Sequence, residues 1–414
     1  MDSAPEDVPQ PASWSRRTFS ALWVRNYRLF FAGQFVSNSG NWLTIVALTL
    51  LVLHRTGSGV AVGLLGACQF GPMLVLSAFA GLVADRSDKR RLLYLTQSLE
   101  MAQSAALAVL AFLPQVPLPV FFVVAAAGGA MLAFDNPGRR SFVNEMVPPP
   151  LIPNAVTLYS ANVNLSRMVG PSLAAALIAT VGYGWAFTID AASYVAVLFS
   201  LWRMDGEELR PAPKTPRGRG QVRAGLRYIA GVPELWITFL TLLVVGILSY
   251  NFTVVLPLFV ERGLHGSDTQ FSLIYATFSA GAVVGTLVVA RRTAMTVRTV
   301  VGACLALGVT MLAMAFVPNV AVAFPAAALV GATSVVYLTV TTALVQLRAE
   351  RDMVGRVLAL QAVLLIGTTP VGGPILGLLA DAAGGRAPVV LGAGGALAAG
   401  AAAWVLDRQR RSRN

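Results

Sequence analysis

The 414-residue chain is 56% hydrophobic and only 12% charged, where soluble domains carry about 25% charged residues, and its mean hydropathy is +0.68. These values exclude an ordinary soluble enzyme and point to a polytopic membrane protein. The formal net charge of +12 does not point to nucleic acid, because the basic residues sit between long apolar runs instead of forming a basic face.

Residues 1–28 are polar and lack a short apolar core ending in a cleavage site, so no cleaved signal peptide is expected. Within them Phe19, Leu22, Trp23 and Tyr27 stand among Arg16, Arg17, Arg25 and Arg28, the pattern of a segment lying at a membrane interface. Apolar runs long enough to span a bilayer as helices follow at roughly 29–53, 60–84, 92–113, 118–135, 154–181 and 185–202. After a polar break they resume at 234–260, 270–290, 297–317, 320–346, 355–380 and 388–406. With the N-terminus cytoplasmic, nearly all of the 31 Lys and Arg fall on one side. Only Arg55, Arg262 and Arg386 fall outside, and Arg167 falls within a span. This asymmetry places both termini in the cytoplasm. The break contains Arg210–Gly220, rich in Pro, Gly and Arg and expected to be disordered. Gln221–Ala230 then sets Val222, Leu226 and Ile229 on one helical face, as in a helix lying on the membrane surface.

The break divides the chain into 1–28 (tail), 29–203 (six spans), 204–233 (linker), 234–406 (six spans) and 407–414 (tail). The halves echo each other. Gly170-Pro171 recurs half a chain later as Gly373-Pro374, Gly182 as Gly384, Gly81 as Gly285, followed by Arg291-Arg292, and Asn41 as Asn251. A shared offset indicates a duplicated six-helix unit, and transporters built this way bind substrate near the midplane between their halves.

The densest charge cluster is Gly81–Arg91, with Asp85, Arg86, Asp88, Lys89, Arg90 and Arg91 between two apolar runs. It predicts a tight turn at the membrane face. Its spacing resembles the signature loop of the major facilitator superfamily, Gly-x-x-x-Asp-Arg-x-Gly-Arg-Arg/Lys, with Asp88 at the second glycine. A second run, Phe134-Asp135-Asn136-Pro137-Gly138-Arg139-Arg140, leads to Glu145-Met146-Val147-Pro148 and Asn154-Ala155-Val156. Together with Asn162, Arg167, Ala191-Ala192-Ser193-Tyr194, Gly355-Arg356-Val357 and Thr369–Pro374, it is similar to the macrolide-efflux and enterobactin-exporter-like branch, the transmembrane secretion effectors. The resemblance implies an all-α membrane protein of twelve transmembrane helices in two pseudo-symmetric six-helix bundles. It also implies export of drugs, siderophores or secondary metabolites, usually by proton antiport, and a cytoplasmic gate at Gly81, Asp85, Arg86, Lys89, Arg90 and Asp135. Three positions depart from the pattern. Span four is read as bare of charge before Asp135. Gly170-Pro171-Ser172-Leu173-Ala174-Ala175 replaces Gly-Pro-x-x-Gly-Gly. Asp190 stands where relatives have Asn.

The candidate coupling residues are Arg167 in span five, Glu100 in span three and Asp190 in span six. A charge at mid-span costs at least about 2.5–3.5 kcal/mol, so each is either functional or half of a structural ion pair. A carboxylate that meets and leaves Arg167 would change its proton affinity with conformation. Gln34, Ser37 and Asn41 share a face of span one, and Thr333, Tyr337 and Thr341 a face of span ten. With Asn162 and Asn251 they either line a polar cavity or bond helices together, at about 0.6 kcal/mol per bond. Gly170, Pro171, Gly373 and Pro374 suit helix packing and kinks. Cys68 and Cys304 lie in separate spans, and His54 and His265 in loops, so no disulfide, metal or other cofactor is expected. The expected partners are a small-molecule substrate, protons and the lipid bilayer, for a monomer in the plasma membrane. A nutrient importer and a non-transporting scaffold are the competing readings. No P-loop, His-Glu-x-x-His or Gly-x-Ser-x-Gly motif supports an enzyme.

Overall fold

The computed structural model describes residues 18–210, 221–290, 295–350 and 353–413. Arg210 aside, the expected disordered stretch falls outside the described residues, as do Arg16, Arg17, Arg291 and Arg292. The helices of the first half are α1 (Arg25–Thr56), α2 (Gly59–Arg86), α3 (Lys89–Phe112), α4 (Leu118–Met146), α5 (Ile152–Thr180) and α6 (Tyr183–Arg203). After α7 (Gln221–Gly231) come α8 (Pro233–Leu248), α9 (Phe252–Leu258), α10 (Asp268–Ala290), α11 (Val297–Ala315), α12 (Val320–Arg348), α13 (Val354–Gly367), α14 (Thr369–Ala383) and α15 (Ala387–Arg413). Among the described residues, 10 segments are long and apolar enough to cross a membrane, with α8–α9 and α13–α14 each counting as one. The two long helices outside that set, α3 and α5, have their apolar stretch interrupted by polar side chains. α3 has Lys89, Arg90, Arg91 and Glu100, and α5 has Asn154, Asn162, Asn164 and Arg167.

Several boundaries differ from those expected. The charged turn is shorter, because α2 runs on through Gly81, Asp85 and Arg86, leaving only Ser87 and Asp88 between helices. Asp88, in place of the pattern's glycine, is the N-cap of α3 and accepts from the Arg91 amide at 2.9 Å. α4 does not end at Asp135 but continues past Pro137 to Met146. Two runs read as continuous are broken, at Ser249–Asn251 and at Thr368. Asn251 spans the first break, its amide donating to the Gly246 and Ile247 carbonyls. Tyr27 is a core residue instead of an interfacial one, donating to the Ala155 carbonyl at 2.7 Å. In α7, Ile229 packs against Leu235, Phe239, Val345 and Val357, but Leu226 is exposed.

The halves meet along two helix pairs, α2 with α14 and α5 with α10. The first is a backbone-to-backbone contact of glycines, Gly63 on Gly373 and Gly59 on Gly377, where a Cβ has no room. The echo between halves extends to conformation: Gly182 before α6 and Gly384 before α15 both have φ +84°, which favours glycine. Gly170 packs α5 on α1 at Ser39 and Trp42, and Gly281 and Gly285 pack α10 on α12.

Candidate functional site

The helical period turns a set of polar side chains on α1, α3, α4 and α6 toward one another inside the first half. Asp135 on α4 is fully buried. It accepts from Thr96 Oγ1 and Gln97 Nε2, both at 2.8 Å, and forms an ion pair with Arg139 one turn along α4. Arg139, 6% exposed, donates in turn to Gln34 Oε1 at 3.0 Å and to Asn38 Oδ1 on α1. Gln97 ties this pair to Glu100, donating to its Oε2 at 3.1 Å and accepting from Ser37. The other oxygen of Glu100, Oε1, is buried and makes no hydrogen bond of ordinary geometry, with the Tyr194 hydroxyl standing beside the carboxyl. Glu100 borders a cavity of about 50 Å³ lined also by Asn41, Thr44, Gln69 and Gln103, room for a few waters. Asp190 on α6 accepts from Thr44 and Ser104 at 2.6 Å each and from Ser193 at 3.3 Å, and forms no ion pair among the described residues. Charges buried at such depth persist only when paired or hydrogen-bonded, and each of these acids is.

This arrangement bears on three expectations. Arg139 is a second interior cation, carried on the part of α4 that continues beyond Asp135, so Arg167 is not alone, although the stretch of span four before Asp135 is bare of charge as expected. The burial of Arg139 escaped the sequence reading because Asn136-Pro137-Gly138 reads as a loop. The one available signal was the four-residue spacing of Asp135 and Arg139, which suits an ion pair along a helix. Asp135 contacts Thr96, Gln97 and Arg139, not the signature loop. Within that loop Lys89 pairs with Glu145 at 2.9 Å, and Arg90 donates to the carbonyls of Leu201, Trp202 and Met204 at the end of α6. Neither Glu100 nor Asp190 pairs with Arg167, whose guanidinium lies over the Trp42 ring.

The expected cavity-lining residues divide. Asn41 lines the Glu100 cavity and donates to the Tyr194 hydroxyl. Gln34, Asn162, Asn251, Tyr337 and Thr341 are at most 1% exposed. Asn162 holds the Phe31 carbonyl, Tyr337 donates to Thr241, and Thr341 to the Tyr337 carbonyl. These are bonds between and within helices, and they close that face of α12 to any cavity in this conformation. Thr333 contacts Thr310 on α11.

Among the described residues, the hydrogen bonds and ion pairs between the halves cluster at the end where α1 joins α2. Asp381 of α14 accepts from the Gly59 and Val60 amides and from Ser58 at the start of α2, and pairs with Arg262 at 2.6 Å. Arg262 also donates to the Gly57 carbonyl. Asp268 of α10 pairs with His54 at 3.0 Å and accepts from Tyr183 at 2.9 Å.

An apolar helical body with a hydrogen-bonded network of polar and acidic side chains in its interior and two halves latched at one end is that of a membrane transporter, not of an enzyme. The profile described as transmembrane secretion effector matches residues 16–412, and the chain belongs to this family of major facilitator transporters. It is 26% identical over 269 residues to the staphyloferrin A transporter of Staphylococcus aureus, covering 63% of this chain and 66% of that protein. With the multidrug efflux pump Tap of Mycolicibacterium fortuitum it shares 27% identity across 86% of this chain and 89% of the relative. Macrolide efflux protein A of Streptococcus pyogenes is 21% identical over 87% and 91% of the two chains. Among solved structures, a bacterial homolog of the human lysosomal transporter Spinster, inward-facing and occupied, superposes with TM-score 0.69 at 15% identity, covering 96% and 98% of the chains. The peptide transporter POT in complex with sulfate gives TM-score 0.73 at 13% identity, covering 93% and 94%. At these identities the structural likeness is one of fold.

Proposed function

We propose that the chain is a secondary-active exporter of amphipathic small molecules, coupled to protons and working by alternating access. In this reading α3 and α5 also cross the membrane, giving twelve spans in two six-helix bundles, with both termini cytoplasmic in the plasma membrane. The α1–α2 end then faces outside, and its cross-half bonds hold the outer side closed. Export is supported by the relatives named as efflux pumps. Reporter fusions after Gly182 and Gly384 are expected to read outside and a fusion after Arg411 inside; an inside signal at Gly182 would overturn the twelve-span arrangement.

The observation that carries proton coupling is the interior of the first half. Three carboxyl groups, Glu100, Asp135 and Asp190, share it with the guanidinium of Arg139, while Arg167 stands apart toward the second half. Asp135 is neutralised by Arg139, which leaves Glu100 and Asp190 to accept or release a proton as the helices move. Glu100 is the better carrier, because one oxygen makes no hydrogen bond of ordinary geometry and lies beside a cavity. The cation that bears on it through Gln97 is the Asp135–Arg139 pair, in place of the Arg167 encounter expected from sequence. In everted vesicles under an imposed pH gradient, Glu100→Gln is expected to abolish gradient-driven accumulation of a lipophilic substrate panel, and Glu100→Gln with Asp190→Asn to remove its pH dependence. Accumulation by the double variant with an unchanged pH profile would refute the proton path.

A further inference from the structure

Resting on the transporter reading, we infer that Arg167 binds an anionic group of the transported molecule, a carboxylate, sulfonate or phosphate carried on a flat apolar body. Arg167 stands midway along α5, the helix that packs across the halves on α10. Its guanidinium carbon lies 5.0 Å from the ring centroid of Trp42 on α1 and 5.9 Å from that of Phe278 on α10. The phenols of Tyr250 and Tyr275 stand beside it. The aromatic surround is therefore drawn from both halves.

Aromatic faces stabilise a cation above or below its plane but leave the N–H donors at its edge without acceptors. At Arg167 this need is met only in part. Nε is closed off from solvent and makes no hydrogen bond of ordinary geometry, and the polar group that faces the guanidinium is the neutral Tyr275 hydroxyl, not an anion. Arg167 forms no ion pair among the described residues. The other interior arginine is provided for: Arg139 has Asp135, Gln34 and Asn38. The acids of the first half are engaged with Thr, Ser, Gln and Arg139, so none stands in as its counter-ion in this conformation.

A guanidinium edge matches the paired oxygens of a carboxylate or phosphate. Trp42 and Tyr250, both half-buried, offer flat walls to the remainder of the molecule, while Tyr275 and Phe278 are packed in the core in this conformation and would face it only as the halves move. A ligand bound there would touch both halves and be released as α5 and α10 part. A lipophilic cation would meet Arg167 as a like charge, so the site discriminates by repulsion as well as attraction. The anion site is also separate from the Glu100 network, which lies wholly within the first half.

The test uses full-length protein in neutral phosphatidylcholine nanodiscs, titrated calorimetrically with 2-naphthylacetate and with its methyl ester. The acid is expected to bind at least about tenfold more tightly than the ester, the range of a charge-assisted hydrogen bond. Arg167→Gln should remove that preference, and Arg167→Lys should keep part of it. No preference for the acid in the wild type, or a preference that survives in Arg167→Gln, overturns the inference; the wild-type comparison stands even if a variant misfolds. Vesicle transport separates the two readings. Acid-selective binding without transport of either probe counts against the transporter reading and leaves the anion site intact. Transport of lipophilic cations at an unaltered rate in Arg167→Gln, together with no acid preference in the wild type, overturns the anion site alone.

Discussion

Replacing Arg139 by Gln is expected to destabilise the folded protein by about 3–5 kcal/mol, the usual effect of removing one partner of a buried ion pair. The loss is not of the pair's attraction alone. Asp135 is fully buried and would be left with only Thr96 and Gln97 as donors and no counter-ion, while Gln34 and Asn38 would lose the donor that joins α1 to α4. The measurement is the monomeric fraction surviving heating in detergent, read by size exclusion. Asp135→Asn combined with Arg139→Gln removes both charges together and should recover most of the loss, because no uncompensated ion remains. A single variant as heat-resistant as the wild type, or a double variant worse than Arg139→Gln, would remove this pair from the account of the fold.

Asp381→Asn is expected to open the α1–α2 end. One carboxylate from the second half accepts two backbone amides and a hydroxyl at the N-terminus of α2, in addition to Arg262. Unpaired amides at a helix start carry partial positive charge, and a carboxylate satisfies them best. Asparagine keeps one accepting oxygen and loses the charge. Charge-assisted bonds are worth about 1.5–3 kcal/mol when sheltered, but Asp381 is 27% exposed and Arg262 24%, so screening reduces the gain. A net loss of about 2 kcal/mol shifts a two-state equilibrium roughly 30-fold. Spin labels on the exposed Gln115 and Asn319, in loops of opposite halves, would report it as a growing long-distance population. The second cluster, His54, Tyr183 and Asp268, remains in place in this variant, so opening should be partial, and adding Asp268→Asn should extend it. A distance distribution identical to wild type in the double variant would show that these bonds do not hold the end closed.

The sequence by itself determined the class of this protein and the order of its helices. Apolar length and the scarcity of charge decide what can lie in a bilayer, and both are local properties of the chain. The half-chain echo was legible for the same reason: Gly182 and Gly384 serve local backbone geometry, and both adopt it. The tertiary structure decided what the charged residues do. Pro137 and Gly138 look like the end of a helix, yet α4 continues, because within the bundle Arg139 finds Asp135, Gln34 and Asn38. Tyr337 and Thr341 formed a polar stripe equally suited to a cavity or to another helix, and packing on α8 settled it. Glu100, Asp190 and Arg167 were identified as costly interior charges from sequence, but much of what surrounds them comes from other helices: Thr44 and Ser104 at Asp190, Asp135 and Ser37 through Gln97 at Glu100, and the rings of Trp42 and Phe278 at Arg167. A buried charge is stabilised by whatever contacts it in three dimensions, and sequence spacing carries that information only within a turn or two of one helix.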